Sequence, residues 1–272
     1  MKVREALARA AGQLANVSET PRLDAELLMA KALGIEREKM LLSHVSDAMP
    51  VEFPRLIERR LAREPIAYII GTRSFWTIDL EVAPGVLIPR SDSETLIEAA
   101  IAHFGSRAPQ TILDLGTGSG ALLLAALDHW PEAKGLGIDA SENALAIARR
   151  NAARLALSGR ADFRPGNWAE GIDGRFDLVL CNPPYVEEQA SLPADVRDWE
   201  PSEALFSGSD GLEDLRRLAP QFRRLIAPGG IACVEIGAAQ GDKAAALLSS
   251  QGLRIARRRD LAGHERCLIL SV

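Results

Sequence analysis

Two short segments of this sequence carry residue types from which chemistry can be built. In the first, Asp114-Leu115-Gly116-Thr117-Gly118-Ser119-Gly120, closely spaced glycines follow an apolar strand-like run and open the helical stretch ALLLAALDHW. Lacking Cβ atoms, they let the backbone pass close to a ligand at a helix N-terminus, where unpaired N–H groups remain. Nineteen residues beyond Gly120, at the end of the next strand-like run, stands Asp139. A carboxylate there can accept hydrogen bonds from both hydroxyls of a ribose, so the pair points to a nucleoside ligand. A dinucleotide fingerprint has the form GxGxxG and seats a pyrophosphate. Here the spacing is GxGxG with Asp114 ahead of it, and an acid beside the loop repels a pyrophosphate and suits an ammonium group.

The second segment is Asn182-Pro183-Pro184-Tyr185, after the run FDLVLC. An amide or exocyclic amino nitrogen is a poor nucleophile because its lone pair is delocalised. Two acceptors, the Asn182 side-chain carbonyl and the Pro183 backbone carbonyl, can bind its two hydrogens and favour pyramidalisation as it attacks. Proline fixes φ and so holds such a carbonyl in place, and Tyr185 can stack on the planar group. The GxGxG form with a leading Asp resembles the first motif of class I methyltransferases. That resemblance implies S-adenosylmethionine as methyl donor, with S-adenosylhomocysteine as product. Its sulfonium already carries the reactivity, so the protein has mainly to align donor and acceptor.

Elements must bring these segments together. Residues 1 to about 75 read as helices: Thr20-Pro21 is a helix start, Leu23, Leu27, Leu28 and Ala32 recur at helical spacing, and Gly34 sits where a helix stops. Phe53, Ile57 and Leu61 repeat the pattern, and Pro65 should end it. Residues 76–90 read as a hairpin or extended linker broken at Pro84-Gly85. Within 91–272, strand-like runs near 111–115, 135–139, 161–164, 176–182, 230–236, 253–257 and 267–272 alternate with helical patterns. This predicts an α/β domain with a mainly parallel sheet. If the strands at 111 and 176 flank the point where strand order reverses, both motifs project into one crevice.

Composition narrows the partners. The chain has 272 residues, 32 basic and 37 acidic, for a formal net charge of -5. That balance argues against general nucleic-acid binding, which needs clustered Lys and Arg. Cys181, Cys233 and Cys267 lie in apolar stretches without metal or disulfide spacing and read as reduced core residues. The four histidines form no metal spacing, and Arg257-Arg258-Arg259 reads as a solvated face. The amino terminus lacks the uninterrupted apolar core of a secretory signal, and no window approaches a membrane span. A cytoplasmic monomer is expected.

Further segments resemble one family over nearly the whole chain: Arg63-Glu64-Pro65 with Tyr68-Ile69 and Gly71, Phe75-Trp76, and Ile88-Pro89-Arg90-Ser91-Asp92-Ser93-Glu94. Glu200-Pro201, Ala204-Leu205, Gly208, Asp210-Gly211-Leu212, Glu235-Ile236-Gly237, Gln240, Asp260-Leu261, Gly263 and Arg266 extend the match. Together they resemble the glutamine methyltransferases of bacterial peptide chain release factors (PrmC/HemK). The resemblance implies a seven-stranded, Rossmann-like class I methyltransferase domain preceded by a small all-helical domain that helps recognise the release factor. It implies methylation of the glutamine of the GGQ loop at its side-chain amide nitrogen. It also implies that Gly116 to Gly120, Asp139, Trp168 and Asn182 bind cofactor while Asn182, Pro183, Pro184 and Tyr185 hold the glutamine. Two segments depart from the family pattern. Asn167 stands where an acid usually precedes the tryptophan, and Ser91 and Ser93 replace the usual proline and threonine of Pro-Arg-Pro-Asp-Thr-Glu. The rivals are a methyltransferase acting on a nucleobase amine, which would show a basic groove or target-recognition insertion, and a non-catalytic binding protein, which would have lost part of the Asn-Pro-Pro-Tyr set.

Overall fold

Apolar side chains recurring every third or fourth residue fold the amino-terminal stretch into helices. In the computed structural model, which describes residues 1–272, the chain divides into two compact units: residues 1–72 with 192–199, and residues 73–191 with 200–272. In the first unit α1 (Val3–Leu14) buries Val3, Ala6, Leu7, Ala10 and Leu14 along one face. Helix α2 (Pro21–Leu33) starts on its proline and ends at Gly34, φ 66°, the left-handed conformation that glycine adopts without strain. Helix α3 (Arg37–Lys39) runs on into a π turn at Met40–His44, and α4 (Phe53–Leu61) and α5 (Ile66–Ile70) complete the bundle.

The expected apolar stripe on α2 needs correction. Leu23 is 40% exposed, and the buried set is Asp24, Ala25, Glu26, Leu28, Met29 and Ala30. Charge explains the difference. Asp24 accepts a 2.8 Å hydrogen bond from Arg60 Nε, with both side chains under a tenth exposed. The other Arg60 N–H groups donate to the carbonyls of Glu64 and Val17. Glu26 is held by Arg22 and Arg37. Carboxylates buried with full sets of partners take core positions that apolar spacing alone assigns to leucine. The helical reading to residue 75 is also corrected: α5 stops at Gly71, φ 86°, and β1 (Thr72–Phe75) follows.

Strand β1 pairs with β2 (Ile78–Glu81), and the reversal falls at Trp76-Thr77 rather than at Pro84-Gly85, which forms a second turn. The second unit continues with α6 (Glu94–Phe104), β3 (Thr111–Leu115), α7 (Ala121–His129), β4 (Lys134–Asp139), α8 (Glu142–Arg154), β5 (Ala161–Pro165) and β6 (Phe176–Cys181). The single turn α9 (Ala194–Arg197) lies in the segment that belongs to the first unit. Helix α10 (Glu213–Leu225), β7 (Ile226–Glu235), α11 (Gly241–Ser249), β8 (Arg254–Arg259) and β9 (Glu265–Ser271) finish the chain.

The seven-stranded sheet has the order β5-β4-β3-β6-β7-β9-β8. All pairs are parallel except β7 with β9 and β8 with β9. Helices cover both faces, and the buried strands alternate between two cores. Ile112, Leu178 and Leu180 pack into one, while Leu113, Leu115, Val179 and Cys181 pack into the other, as a period of two requires. Strand order reverses between β3 and β6, so the crevice beyond their carboxyl ends is the natural ligand site. The three cysteines are free and buried. Each arginine of the 257–259 run is paired with an acid: Arg257 with Asp242 and Glu265, Arg258 with Glu98, Arg259 with Glu265.

Candidate functional site

Parallel register places the two sequence motifs side by side. Leu115 on β3 is opposite Cys181 on β6, so Gly116 and Asn182 are the residues that leave neighbouring strand ends. The glycine turn is tied to β4 at its start, where the N–H groups of Gly116 and Thr117 both donate to the Ile138 carbonyl at 2.9 Å. Gly116, Gly118 and Gly120 all have positive φ. At Gly116 this combines with crowding: a Cβ would lie 3.0 Å from the Trp168 ring. The space around Gly118 is open, leaving room for a ligand against that stretch of backbone.

Asp139 closes the turn. Its Oδ2 accepts from Gly118 N–H at 2.8 Å and its Oδ1 from Ser141 N–H at 2.9 Å, which fixes the carboxylate at the strand end. Asp114 is buried, its Oδ2 receiving the Thr117 hydroxyl at 2.6 Å, while Oδ1 has no hydrogen-bond partner. Burial pushes its pKa up to about 7, the Thr117 bond opposes the shift, and Asp139 adds to it. A buried carboxyl with one orphaned oxygen is a receptor for a cation or a donor. Ser119 is buried and its carbonyl accepts from Asn151 Nδ2. Asn151 also bonds both the N–H and the carbonyl of Glu81, linking the turn to β2.

Trp168, itself at φ 54°, lies with its ring against Gly116, its indole N–H donating to Asp214 at 3.2 Å. Asp214 in turn receives the Ser207 hydroxyl at 2.8 Å. Asn167 points away from this cluster and bonds Glu170 on the surface.

At the second motif, Asn182 donates from Nδ2 to Ser93 Oγ at 3.2 Å, so its Oδ1 remains an acceptor. Pro183 and Pro184 are buried. The Tyr185 hydroxyl donates to Glu235 Oε1 at 3.1 Å, and burial, with that carboxyl beside it, pushes its pKa well above the usual phenol range. Glu235, at the end of β7, is itself raised to about 7 by burial. Gln240 staples the turn: Nε2 donates to the carbonyls of Tyr185 and Gly211, and Oε1 accepts from Gly237 N–H. Gly211 is required there, because a Cβ would meet the Tyr185 carbonyl at 2.3 Å. A cleft lined by Leu87, Arg90, Asn182, Tyr185, Ala204 and Leu205 opens over the turn. Arg90 pairs with buried Glu200, which also accepts from Ile88 N–H, whereas Glu94 accepts from Trp76 N–H. Arg90 and Glu94 thus serve separate partners. Arg266 joins Asp92, Asp260 and the Ile236 carbonyl. Asn151 and Asp214 have no signal in the sequence, since Glu81, Ser119 and Trp168 are remote from them along the chain.

Comparison with known proteins gives this geometry its family. Residues 5–71 match the model of the PrmC N-terminal domain and residues 92–197 that of the methyltransferase small domain. The release factor glutamine methyltransferase of Rhodospirillum rubrum is 44% identical over 260 residues, 92% of this chain and 79% of that one. This chain belongs to the release factor glutamine methyltransferases. A second member, from Cereibacter sphaeroides, is 39% identical over 98% of this chain and 97% of its own length. Among solved structures, a methyltransferase from Pyrococcus furiosus has a TM-score of 0.55 at 17% identity, covering 78% of this chain and 95% of that one. The Thermus thermophilus 16S rRNA N2 G1207 methyltransferase (RsmC), solved with AdoMet and guanosine, has a TM-score of 0.52 at 20% identity over 74% of this chain and 49% of that one. These two share the fold of the family's methyltransferase domain.

Proposed function

We propose that this chain transfers a methyl group from S-adenosylmethionine to the side-chain amide nitrogen of the glutamine in the GGQ motif of peptide chain release factors. The observation that carries the reading is the β3–β6 register, which sets the glycine turn and Asn-Pro-Pro-Tyr on adjacent strand ends. Relatives at this identity and coverage favour a release factor over the nucleobase alternative.

The residues present fit S-adenosylmethionine. The open backbone at Gly118, the orphaned Asp114 Oδ1 and the carboxylate of Asp139 at the strand end supply, in order, room for the chain, a receptor for an ammonium and acceptors for a ribose. Gly116, Thr117, Ser119 and Gly120 shape the turn, and Trp168 walls its far side. When bound, the cofactor supplies a methyl group on a sulfonium, whose departure as a neutral thioether provides the driving force.

What the protein does is orient the acceptor. Asn182 Oδ1 and the Pro183 carbonyl bind the two N–H groups of the glutamine amide and set its lone pair toward the cofactor side of the crevice. Pro184 fixes the turn, and Tyr185, held by Glu235 and with its carbonyl stapled by Gln240, covers the planar amide and excludes water. The near balance of 32 basic and 37 acidic residues favours a protein partner over nucleic acid, and no helix is long and apolar enough to cross a membrane. Mass spectrometry of an unmethylated release factor incubated with this protein and S-adenosylmethionine should show one added methyl on the GGQ glutamine. Asn182→Ala should abolish it while sparing the fold. Methyl transfer to RNA or DNA with none to the factor would move the function to a nucleobase amine.

A further inference from the structure

The acceptor cleft holds a cation to which the methyl-transfer geometry gives no task. Leu87, Ala204, Leu205 and Tyr185 wall the cleft, Asn182 stands in it, and Arg90 lines it with them. Arg90 Nη2 donates to Glu200 Oε1, and Glu200 Oε2 accepts from the Ile88 N–H at 3.0 Å. The Glu200 side chain is 1% exposed and that of Arg90 34%, so one arm of the guanidinium is anchored on a buried carboxylate while the rest of the group reaches the open cleft. Arg90 Nε and Nη1 make no hydrogen bond within the protein. Donors therefore remain on a group whose position is already fixed.

We propose that Arg90 binds the main chain of the substrate: its free guanidinium N–H groups donate to a backbone carbonyl flanking the acceptor glutamine. The inference rests on that glutamine being the acceptor. The two residues before it in GGQ are glycines and offer no side chain, so that part of the segment can be held only through its peptide groups. A carbonyl drawn out of water into an apolar cleft must find a donor. An arginine already anchored on Glu200 supplies one with little further loss of side-chain freedom. With its amide on Asn182 and its main chain on Arg90, the glutamine is gripped at both ends, which fixes how far its side chain enters the cleft.

Charge selects a neutral acceptor over an anionic one. Glu200 compensates Arg90, and Arg266, the other arginine acting on Tyr185, is paired with Asp92 and Asp260. A phosphate would find both cations already neutralised, whereas a carbonyl needs only a donor aimed at it. Geometry selects arginine over lysine. The separate arms of a guanidinium can hold Glu200 and a carbonyl at once, while an ammonium gathers its donors on one nitrogen.

The test measures kcat and KM for unmethylated release factor, and S-adenosylmethionine affinity by calorimetry, in wild type, Arg90→Lys and Arg90→Met/Glu200→Gln. Arg90→Lys keeps a cation for Glu200. The double variant removes both charges and leaves an amide oxygen for the Ile88 N–H, so neither strands a buried carboxylate. Each should raise KM for the factor about tenfold or more, with a much smaller change in kcat, as for a contact made alike in the ground and transition states. Cofactor affinity should match wild type. If circular dichroism shows one variant unfolded, the other decides. Wild-type KM in a folded variant would overturn the main-chain contact. A joint fall in kcat and cofactor affinity would overturn it too, since that is what a mere brace for Ile88 would give. A release factor left unmethylated by wild type would instead remove the glutamine reading, and this inference with it.

Discussion

Replacing Asp114 by Asn should stabilise the cofactor-free protein, and do so more strongly as pH rises. Its carboxyl is raised from 3.8 to about 7, chiefly by burial. Between those values the folded chain holds a proton that the unfolded chain has released, so stability from this group is greatest at low pH and declines until about pH 7. A shift of about three units, at about 1.4 kcal/mol each, sets a ceiling of about 4 kcal/mol above pH 7 and about 1.5 kcal/mol at pH 5. Asn removes the titration. Its packing cost and its altered bond to Thr117 are the same at every pH and cancel in a comparison. The difference in unfolding free energy between variant and wild type should therefore move in the variant's favour by about 2–3 kcal/mol from pH 5 to pH 8. Urea denaturation followed by tryptophan fluorescence measures it, with Trp199, the one tryptophan in the first unit, replaced by Phe in both proteins so that Trp76, Trp130 and Trp168 report the second. Glu235 titrates alike in both proteins and drops out. A difference that does not change with pH would refute the account of Asp114. If Asp114 receives the ammonium as proposed, the same substitution should also weaken S-adenosylmethionine, because it removes the charge beside the unpartnered Oδ1.

Two other substitutions probe the scaffold. Gly116→Ala forces a side chain into φ 72° and against Trp168; it should cost about 1–2 kcal/mol and weaken cofactor binding at least about tenfold, and unchanged affinity by calorimetry would show that the close approach is irrelevant. Asp24→Ala takes from buried Arg60 its 2.8 Å partner and leaves only Asp195, 3.9 Å away, as an acid; it should cost about 3 kcal/mol by denaturation, with Asp24→Ala/Arg60→Met recovering most of it; a loss under about 1 kcal/mol would mean that Asp195 or water takes over the arginine.

Much of the site was legible because its chemistry is local. GxGxG after an apolar run, Asp139 at the next strand end and Asn-Pro-Pro-Tyr after FDLVLC are each set by residue type and spacing within a few residues, and strand-like runs alternating with helical ones indicate a mainly parallel sheet. The same local reasoning failed on α2, where buried Asp24 and Glu26 find arginines elsewhere in the bundle, and at Trp76-Thr77, where the hairpin turned without the Pro-Gly signal.

The amino-acid sequence by itself determined which residues are the candidates to bind a nucleoside and a planar amide, because the chemistry that makes them candidates belongs to side chains and short backbone turns. Only the tertiary structure decided their state. Strand order put Gly116 beside Asn182, and burial lifted Asp114 and Glu235 toward neutrality. Contacts across 89 residues tied Asn182 to Ser93, and across 50 tied Tyr185 to Glu235. Desolvation and long-range hydrogen bonds depend on what surrounds a group in space, and no spacing along the chain encodes that.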